Sequence, residues 1–187
     1  MMRIITGRAR GIQLVTLEGE MTRPTSERAK MAIVSSLQFE LEGRRVLDLF
    51  AGSGQMGLEA VSRGAAHAVL VDQSKDAIKI IQKNAEKTRL SEDCTVICSD
   101  FSEFLRQRRG KDPFDIVFID PPYVMKACKA AVEAILENRL LKPHGILVLE
   151  SAEPDPLGTG TPLAEKFEVV KSARYGAAYV NILTPKE

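Results

Sequence analysis

The sequence predicts an α/β protein built on an open, doubly wound, mostly parallel sheet. Three observations predict it. Short apolar runs recur after Gly43, at residues 46–50, 68–71, 95–98, 114–119 and 145–149. Each run lacks the polar–apolar alternation of a half-exposed strand, as expected for parallel strands covered on both faces. Amphipathic stretches at residues 57–63, 74–88, 102–108 and 126–136 separate the runs, which reads as successive βαβ units.

The segments at either end differ in character. Residues 3–17 alternate loosely around Gly7 and Gly11, which predicts an extended hairpin. Arg23-Pro24-Thr25 then introduces a helix, with Thr25 as its N-cap, Glu27 at its positive end, and Ala29, Ile33, Val34 and Leu37 at helical spacing. Near the C-terminus, residues 155–162 are rich in Pro and Gly and read as a loop. Residues 167–172 and 179–184 flank Tyr175-Gly176-Ala177-Ala178 as a hairpin. The 187 residues therefore divide into an N-terminal extension, 1–42, and one Rossmann-like domain, 43–187.

Composition narrows the chemistry. Lys and Arg number 26 against 25 Asp and Glu, so bulk electrostatics alone would not hold the chain on nucleic acid. The balance is uneven, however. Residues 1–30 carry 6 basic and 3 acidic side chains, and the remainder carries 20 and 22. No apolar run approaches the roughly 20 residues needed to span a bilayer, and the first residues lack the apolar region of a signal peptide, so a cytoplasmic protein is expected. Cys94, Cys98 and Cys128 form no Cys-x-x-Cys pair, and Cys94 and Cys98, four apart on one strand face, read as a pair of small buried thiols in a reducing cytoplasm. His67 and His144 are isolated, so no metal site is expected. Carboxylates, backbone and aromatic rings are left to do the work.

In an open α/β sheet, ligands bind at the C-terminal ends of the strands. The first run continues Asp48-Leu49-Phe50-Ala51-Gly52-Ser53-Gly54-Gln55-Met56-Gly57, where the glycines allow a tight turn and a helix N-terminus follows. Alone this fits a nicotinamide enzyme, another nucleotide binder or a plain turn. The second run ends at Asp72, placed to accept hydrogen bonds from a ribose diol or to cap the next helix. The third ends at Asp100-Phe101, where the carboxylate suits an adenine amine or again a cap, with the ring beside it.

The fourth run ends at Asp120-Pro121-Pro122-Tyr123. Consecutive prolines cannot continue a central strand, so the chain turns there. The corner presents two acceptors, the Asp120 carboxylate and the Pro121 carbonyl, and Tyr123 supplies a flat face for stacking a base. An amine on a purine or cytosine ring has its lone pair delocalised into the ring. Two acceptors on its hydrogens hold the nitrogen towards tetrahedral geometry and free that lone pair for attack.

These motifs together resemble class I S-adenosylmethionine-dependent methyltransferases acting on exocyclic amines. The chain is most similar to the RsmD type, the bacterial 16S ribosomal RNA guanine-N2 methyltransferases. The similarity rests on Met2-Arg3-Ile4-Ile5-Thr6-Gly7, Arg23-Pro24-Thr25, residues 47–54 with Ser62-Arg63-Gly64-Ala65, and the Asp120 corner. The resemblance implies a seven-stranded sheet with a C-terminal antiparallel hairpin. It implies catalysis at Asp120, Pro121, Pro122 and Tyr123, with S-adenosylmethionine held by Asp48, Phe50, Ala51, Gly52, Gly54, Gly57, Asp72, Gln73, Asp100 and Phe101. It implies that the extension recognises RNA through Arg8, Arg10, Arg23, Thr25, Arg28 and Lys30, with Arg3 a further candidate. The implied partner is 16S ribosomal RNA, within a small-subunit particle, for a protein that works as a monomer. A DNA adenine-N6 or cytosine-N4 methyltransferase would share the corner, and a nicotinamide-dependent oxidoreductase would share the glycine turn.

Overall fold

Alternating side chains of the central strands feed two separate apolar cores, and this sets the layering of the molecule. A computed structural model describes the backbone of residues 2–17, 24–122 and 127–186, and the side chains of these apart from 24–27. The sheet has seven strands: β1 (Arg45–Asp48), β2 (His67–Asp72), β3 (Cys94–Cys98), β4 (Phe114–Ile119), β5 (Leu141–Ser151), β6 (Phe167–Tyr175) and β7 (Ala178–Pro185). Their order is β3-β2-β1-β4-β5-β7-β6. The first five are parallel, and β7 enters antiparallel between β5 and β6. The chain thus winds outward from β1 to β3, then crosses back to β4 on the other side of β1. The gap between β1 and β4 is the topological switch point of the sheet.

Val46, Ala68, Leu70, Ile116, Phe118, Ile146 and Val148 face one core, with α1 (Pro24–Ser36), α2 (Gln55–Ser62) and α3 (Lys75–Thr88). Their neighbours Leu47, Val69, Val71, Val117, Ile119, Leu147 and Leu149 face the other, with α4 (Phe101–Gln107) and α5 (Cys128–Glu137). Period-2 alternation of strand side chains therefore builds both layers at once.

The predicted elements form, with instructive differences. Thr25 does not precede the helix: α1 begins at Pro24, so Thr25 sits inside its first turn. Proline is well placed there, because the first helical N–H has no partner to lose. The cap position falls on Arg23, outside the described residues. The predicted hairpin over 3–17 pairs as a ladder at one bridge only, Arg3 with Gln13. Two regular ladder bonds make that bridge, Ile4 N–H to the Ile12 carbonyl at 3.0 Å and Leu14 N–H to the Met2 carbonyl at 2.9 Å. Strand β3 is only partly covered, because it lies at the sheet edge. Cys98 on it is exposed and Cys94 half-buried, so the expected pair of buried thiols does not form.

The N-terminal segment is anchored through buried polar groups. Glu59 of α2 is 1% exposed, and its carboxylate accepts the N–H groups of Ile5 at 2.7 Å and Thr6 at 2.9 Å. Arg63 completes the set with its Nε at 3.0 Å from Glu59, and it donates to the Val34 carbonyl of α1. Ser62 donates its hydroxyl to the Thr6 carbonyl and receives the Ala9 N–H. Asn84 of α3 bonds both the N–H and the carbonyl of Val15, and also the Ser53 carbonyl at 2.8 Å. Gly7 takes φ +81°, and a Cβ there would overlap the Ser62 carbonyl, so only glycine permits so close an approach. Met2, Ile4, Ala9 and Leu14 insert into the α1–α3 core.

Glu59→Gln leaves the space filled but turns an amide donor towards backbone N–H donors. We expect it to cost about 2–4 kcal/mol in denaturant unfolding and to expose residues 2–17 to protease. A variant with the wild-type midpoint would contradict this account of the anchor.

Candidate functional site

The strand-end carboxylates converge on the switch point. Asp48 ends β1 and is 3% exposed; its Oδ2 accepts the Gly57 N–H at 2.9 Å. Asp72 ends β2, and both of its oxygens hold backbone: Oδ2 takes Gly52 N–H at 2.9 Å and Oδ1 takes Ser74 N–H at 2.8 Å. Asp120 follows β4, half-buried, next to the buried Pro121 and the exposed Pro122. The strands carrying Asp48 and Asp120 are direct neighbours, with Asp48 in register with Phe118.

Between β1 and α2 the glycine turn is fixed from beneath. Ala51 N–H reaches the Val71 carbonyl at 2.9 Å, tying the turn to β2. Gly54 caps α2 at φ 80°, and a Cβ there would stand 3.1 Å from Ile81 Cγ2. The loop therefore lies flat against α3 and β2. Phe50 and Phe101 pack against each other beside it, with centroids 5.2 Å apart.

Electrostatics bind these groups into one unit. Burial pushes Asp48 up to about 7; the Gly57 N–H and the Lys30 charge oppose the rise, and the Asp120 and Asp72 carboxylates add to it. Lys30 of α1, half-buried, thus acts on Asp48. Burial also pushes the Cys128 thiol up to about 12, and the Asp120, Glu150 and Glu153 carboxylates raise it further. Three acids therefore surround the wall beside Pro121, where a cavity of about 60 Å³ is lined by Pro121, Pro122, Cys128, Glu150 and Glu153.

The remaining candidates divide. Asp100 caps α4, its Oδ1 accepting from Ser102 N–H at 2.9 Å, Glu103 N–H at 3.3 Å and the Ser102 hydroxyl at 2.6 Å. These bonds, the Ser102 hydroxyl first, hold its carboxyl below the usual range. Gln73 is exposed at the rim. Arg8 pairs with Asp93. Arg10 and Arg28 are exposed. Tyr123, Arg23 and the Thr25 side chain lie outside the described residues. Among the described residues, no group of His, Cys, Asp and Glu could hold a metal, and no helix is long and apolar enough to cross a membrane.

Glu150 escaped the sequence reading. It ends the fifth apolar run, and the same rule that singled out Asp48, Asp72, Asp100 and Asp120 would have found it. Glu59 had no such signal, since it lies within an ordinary amphipathic stretch.

Comparison with known proteins places this arrangement. "Putative methyltransferase yhhF from Escherichia coli" superposes with a TM-score of 0.84 at 26% identity, covering 99% of this chain and 98% of that one. A Streptococcus mutans protein described as "a putative sam-dependent methyltransferase" shares the fold at TM-score 0.69 and 17% identity, over 83% of this chain and 47% of its own. The fold is that of the S-adenosylmethionine-dependent methyltransferases. The site fits that cofactor: an acidic cluster suits a sulfonium cation, Asp72 keeps acceptor capacity for a ribose, and the Phe50–Phe101 pair offers aromatic surface to an adenine. The family model described as "Conserved hypothetical protein 95" matches residues 2–184, and the chain belongs to this family. A relative from Haemophilus influenzae, named ribosomal RNA small subunit methyltransferase D, is 35% identical over 92% of this chain and 91% of its own.

Asp48 gives a pH test. Its folded value of about 7 stands above the ordinary 3.8, so its ionisation is penalised in the folded state. Stability from this group is full below about pH 4 and is lost as pH rises through about 7, a fall of roughly 2–3 kcal/mol between pH 5 and pH 8. Asp48→Asn keeps an acceptor for Gly57 and should remove that fall in denaturant titrations at the two pH values. An identical slope in the variant would refute the assignment.

Proposed function

We propose that the chain transfers a methyl group from S-adenosylmethionine to the exocyclic N2 amine of a guanine in small-subunit ribosomal RNA. The observation that carries this reading is the corner after β4: a half-buried carboxylate and a proline carbonyl side by side at the switch point, within electrostatic reach of the Asp48 loop. The name of the Haemophilus influenzae relative supports ribosomal RNA as the substrate. When bound, S-adenosylmethionine supplies a methyl group made electrophilic by its positively charged sulfur.

The rest is positioning by this chain. Asp120 and the Pro121 carbonyl accept the two N2 hydrogens, hold the amine still and turn its lone pair outward. Once the N–C bond has formed and the S–C bond has broken, the methylated nitrogen is strongly acidic and gives up one of those protons to water or to Asp120. Asp48, Asp72 and Asp120 make the strand ends negative, which favours a cationic donor over its neutral product. The target base leaves its stack to enter the corner, as a base must when chemistry is done on it.

The acidic wall favours guanine over adenine. Guanine presents two adjacent hydrogen-bond donors, N1–H and the N2 amine. Adenine presents a ring acceptor beside its amine. Glu150 and Glu153 line the cavity with Pro121 and Pro122, so the wall beside the corner is acidic and suits a donor edge better than a ring acceptor.

Two substitutions test the reading. Asp120→Ala should leave S-adenosylhomocysteine binding by calorimetry intact and lower transfer of labelled methyl to small-subunit RNA by about 10²-fold or more. Glu150→Gln should lower kcat/KM by roughly 10-fold with cofactor affinity unchanged, the loss of one hydrogen bond to a charged group. Near-normal turnover in Asp120→Ala would sink the assignment. Mapping the modified nucleotide by nuclease digestion and mass spectrometry identifies the base.

A further inference from the structure

A second cavity, of about 300 Å³, opens on the other side of the cofactor loop, between the N-terminal segment, α1 and the start of α2. Arg3 and Arg10 stand on it, Ile5 and Met31 give it an apolar wall, and Gln55 lies at its floor. Its volume sits at the lower end of the roughly 300–1,000 Å³ of small-molecule sites and suits one nucleotide better than a helix of RNA.

Gln55 makes it a built site. The residue is 4% exposed, and its Oε1 has no hydrogen-bond partner among the described residues. An orphaned buried acceptor costs free energy and calls for a reason. The other buried side-chain atoms without partners, Arg45 Nε and Arg108 Nη1, belong to guanidinium groups lying over the Phe114 and Phe104 rings, which offer a substitute. Gln55 has no such ring. Its terminal torsion is soft, so the amide can turn towards a donor that enters the cavity. Met31 is 51% exposed, and it offers an apolar surface to a base.

We propose that this cavity binds one nucleotide of the substrate RNA, near the target base in the strand. Arg3 and Arg10 hold its phosphates, Met31 and Ile5 pack on its base, and Gln55 accepts a hydrogen bond from a base N–H. The site follows Gly54 directly, since Gln55 is the first residue of α2 after that glycine. A strand seated there is thereby led towards the strand ends. This rests on RNA being the substrate.

Three proteins separate the possibilities: the full chain, Gln55→Leu and the double variant Arg3→Gln/Arg10→Gln. Each is tested for S-adenosylhomocysteine binding, melting temperature, affinity for small-subunit ribosomal RNA over a salt series, and methylation of that RNA. Gln55→Leu removes an orphaned polar group, so a purely structural role predicts an unchanged or higher melting temperature with RNA affinity untouched. The nucleotide site predicts the same melting temperature with RNA affinity about 10-fold lower. The double variant should lower the salt slope by roughly 1–2. Both should bind S-adenosylhomocysteine as the full chain does.

Wild-type RNA affinity, salt slope and methylation in both variants would overturn the site while leaving the proposed function standing. Failure of the full chain itself to bind and methylate the RNA would overturn both. A melting shift of the full chain by millimolar AMP, CMP, GMP or UMP alone, with RNA affinity unaffected in the variants, would assign the cavity to a free nucleotide and overturn the RNA reading.

Discussion

Everything at the site depends on two buried or half-buried carboxylates gripping backbone N–H groups. Asp48 takes Gly57 and Asp72 takes Gly52, so the glycine turn is stitched at both ends to the strands it leaves and passes. The cost is electrostatic. Two acids lie close together with Asp120 within reach, and burial alone drives Asp48 towards neutrality. Donated backbone hydrogen bonds and the Lys30 charge offset part of that cost. The remaining negative potential is useful to a site that receives a cation.

The same loop is secured from the other side by the N-terminal segment. Asn84 bonds Val15 and Ser53 with one amide, so a residue of α3 spans from the segment to the turn. Glu59 and Ser62 fasten residues 5–9 to α2. Each of these polar groups is buried and satisfied. Such groups fix register more tightly than apolar contacts do, because a shift strands a donor in a dry place. The arginines on the segment are consequently held at defined points around the loop.

Much of this was legible in the sequence because parallel strands write themselves as unbroken apolar runs. β1, β2 and β4 are covered on both faces and were readable to within a residue or two. The strand-end rule then located Asp48, Asp72, Asp100 and Asp120 without any structure. It failed to separate roles, since a carboxylate that clamps a loop and one that caps a helix look alike in a line of letters. Asp72 holds Gly52 across 20 residues of sequence, and no local pattern encodes that. Cys98 was misread because edge position depends on strand order, which the apolar run does not carry. Thr25 was misplaced by two positions, because Pro24 itself begins the helix and moves the cap position to residue 23. Glu59 and Asn84 were invisible because the N-terminal backbone groups they hold lie more than 50 residues away.

All eight residues of α2 are buried, from Gln55 to Ser62. A helix of that length spans only about 12 Å and is marginal on its own in water. It has no wet face to keep it soluble while it waits for partners. Its formation must therefore coincide with the closing of the sheet beneath and the N-terminal segment above. Residues 2–17 and α2 therefore hold each other in place, and loosening either one uncovers the other.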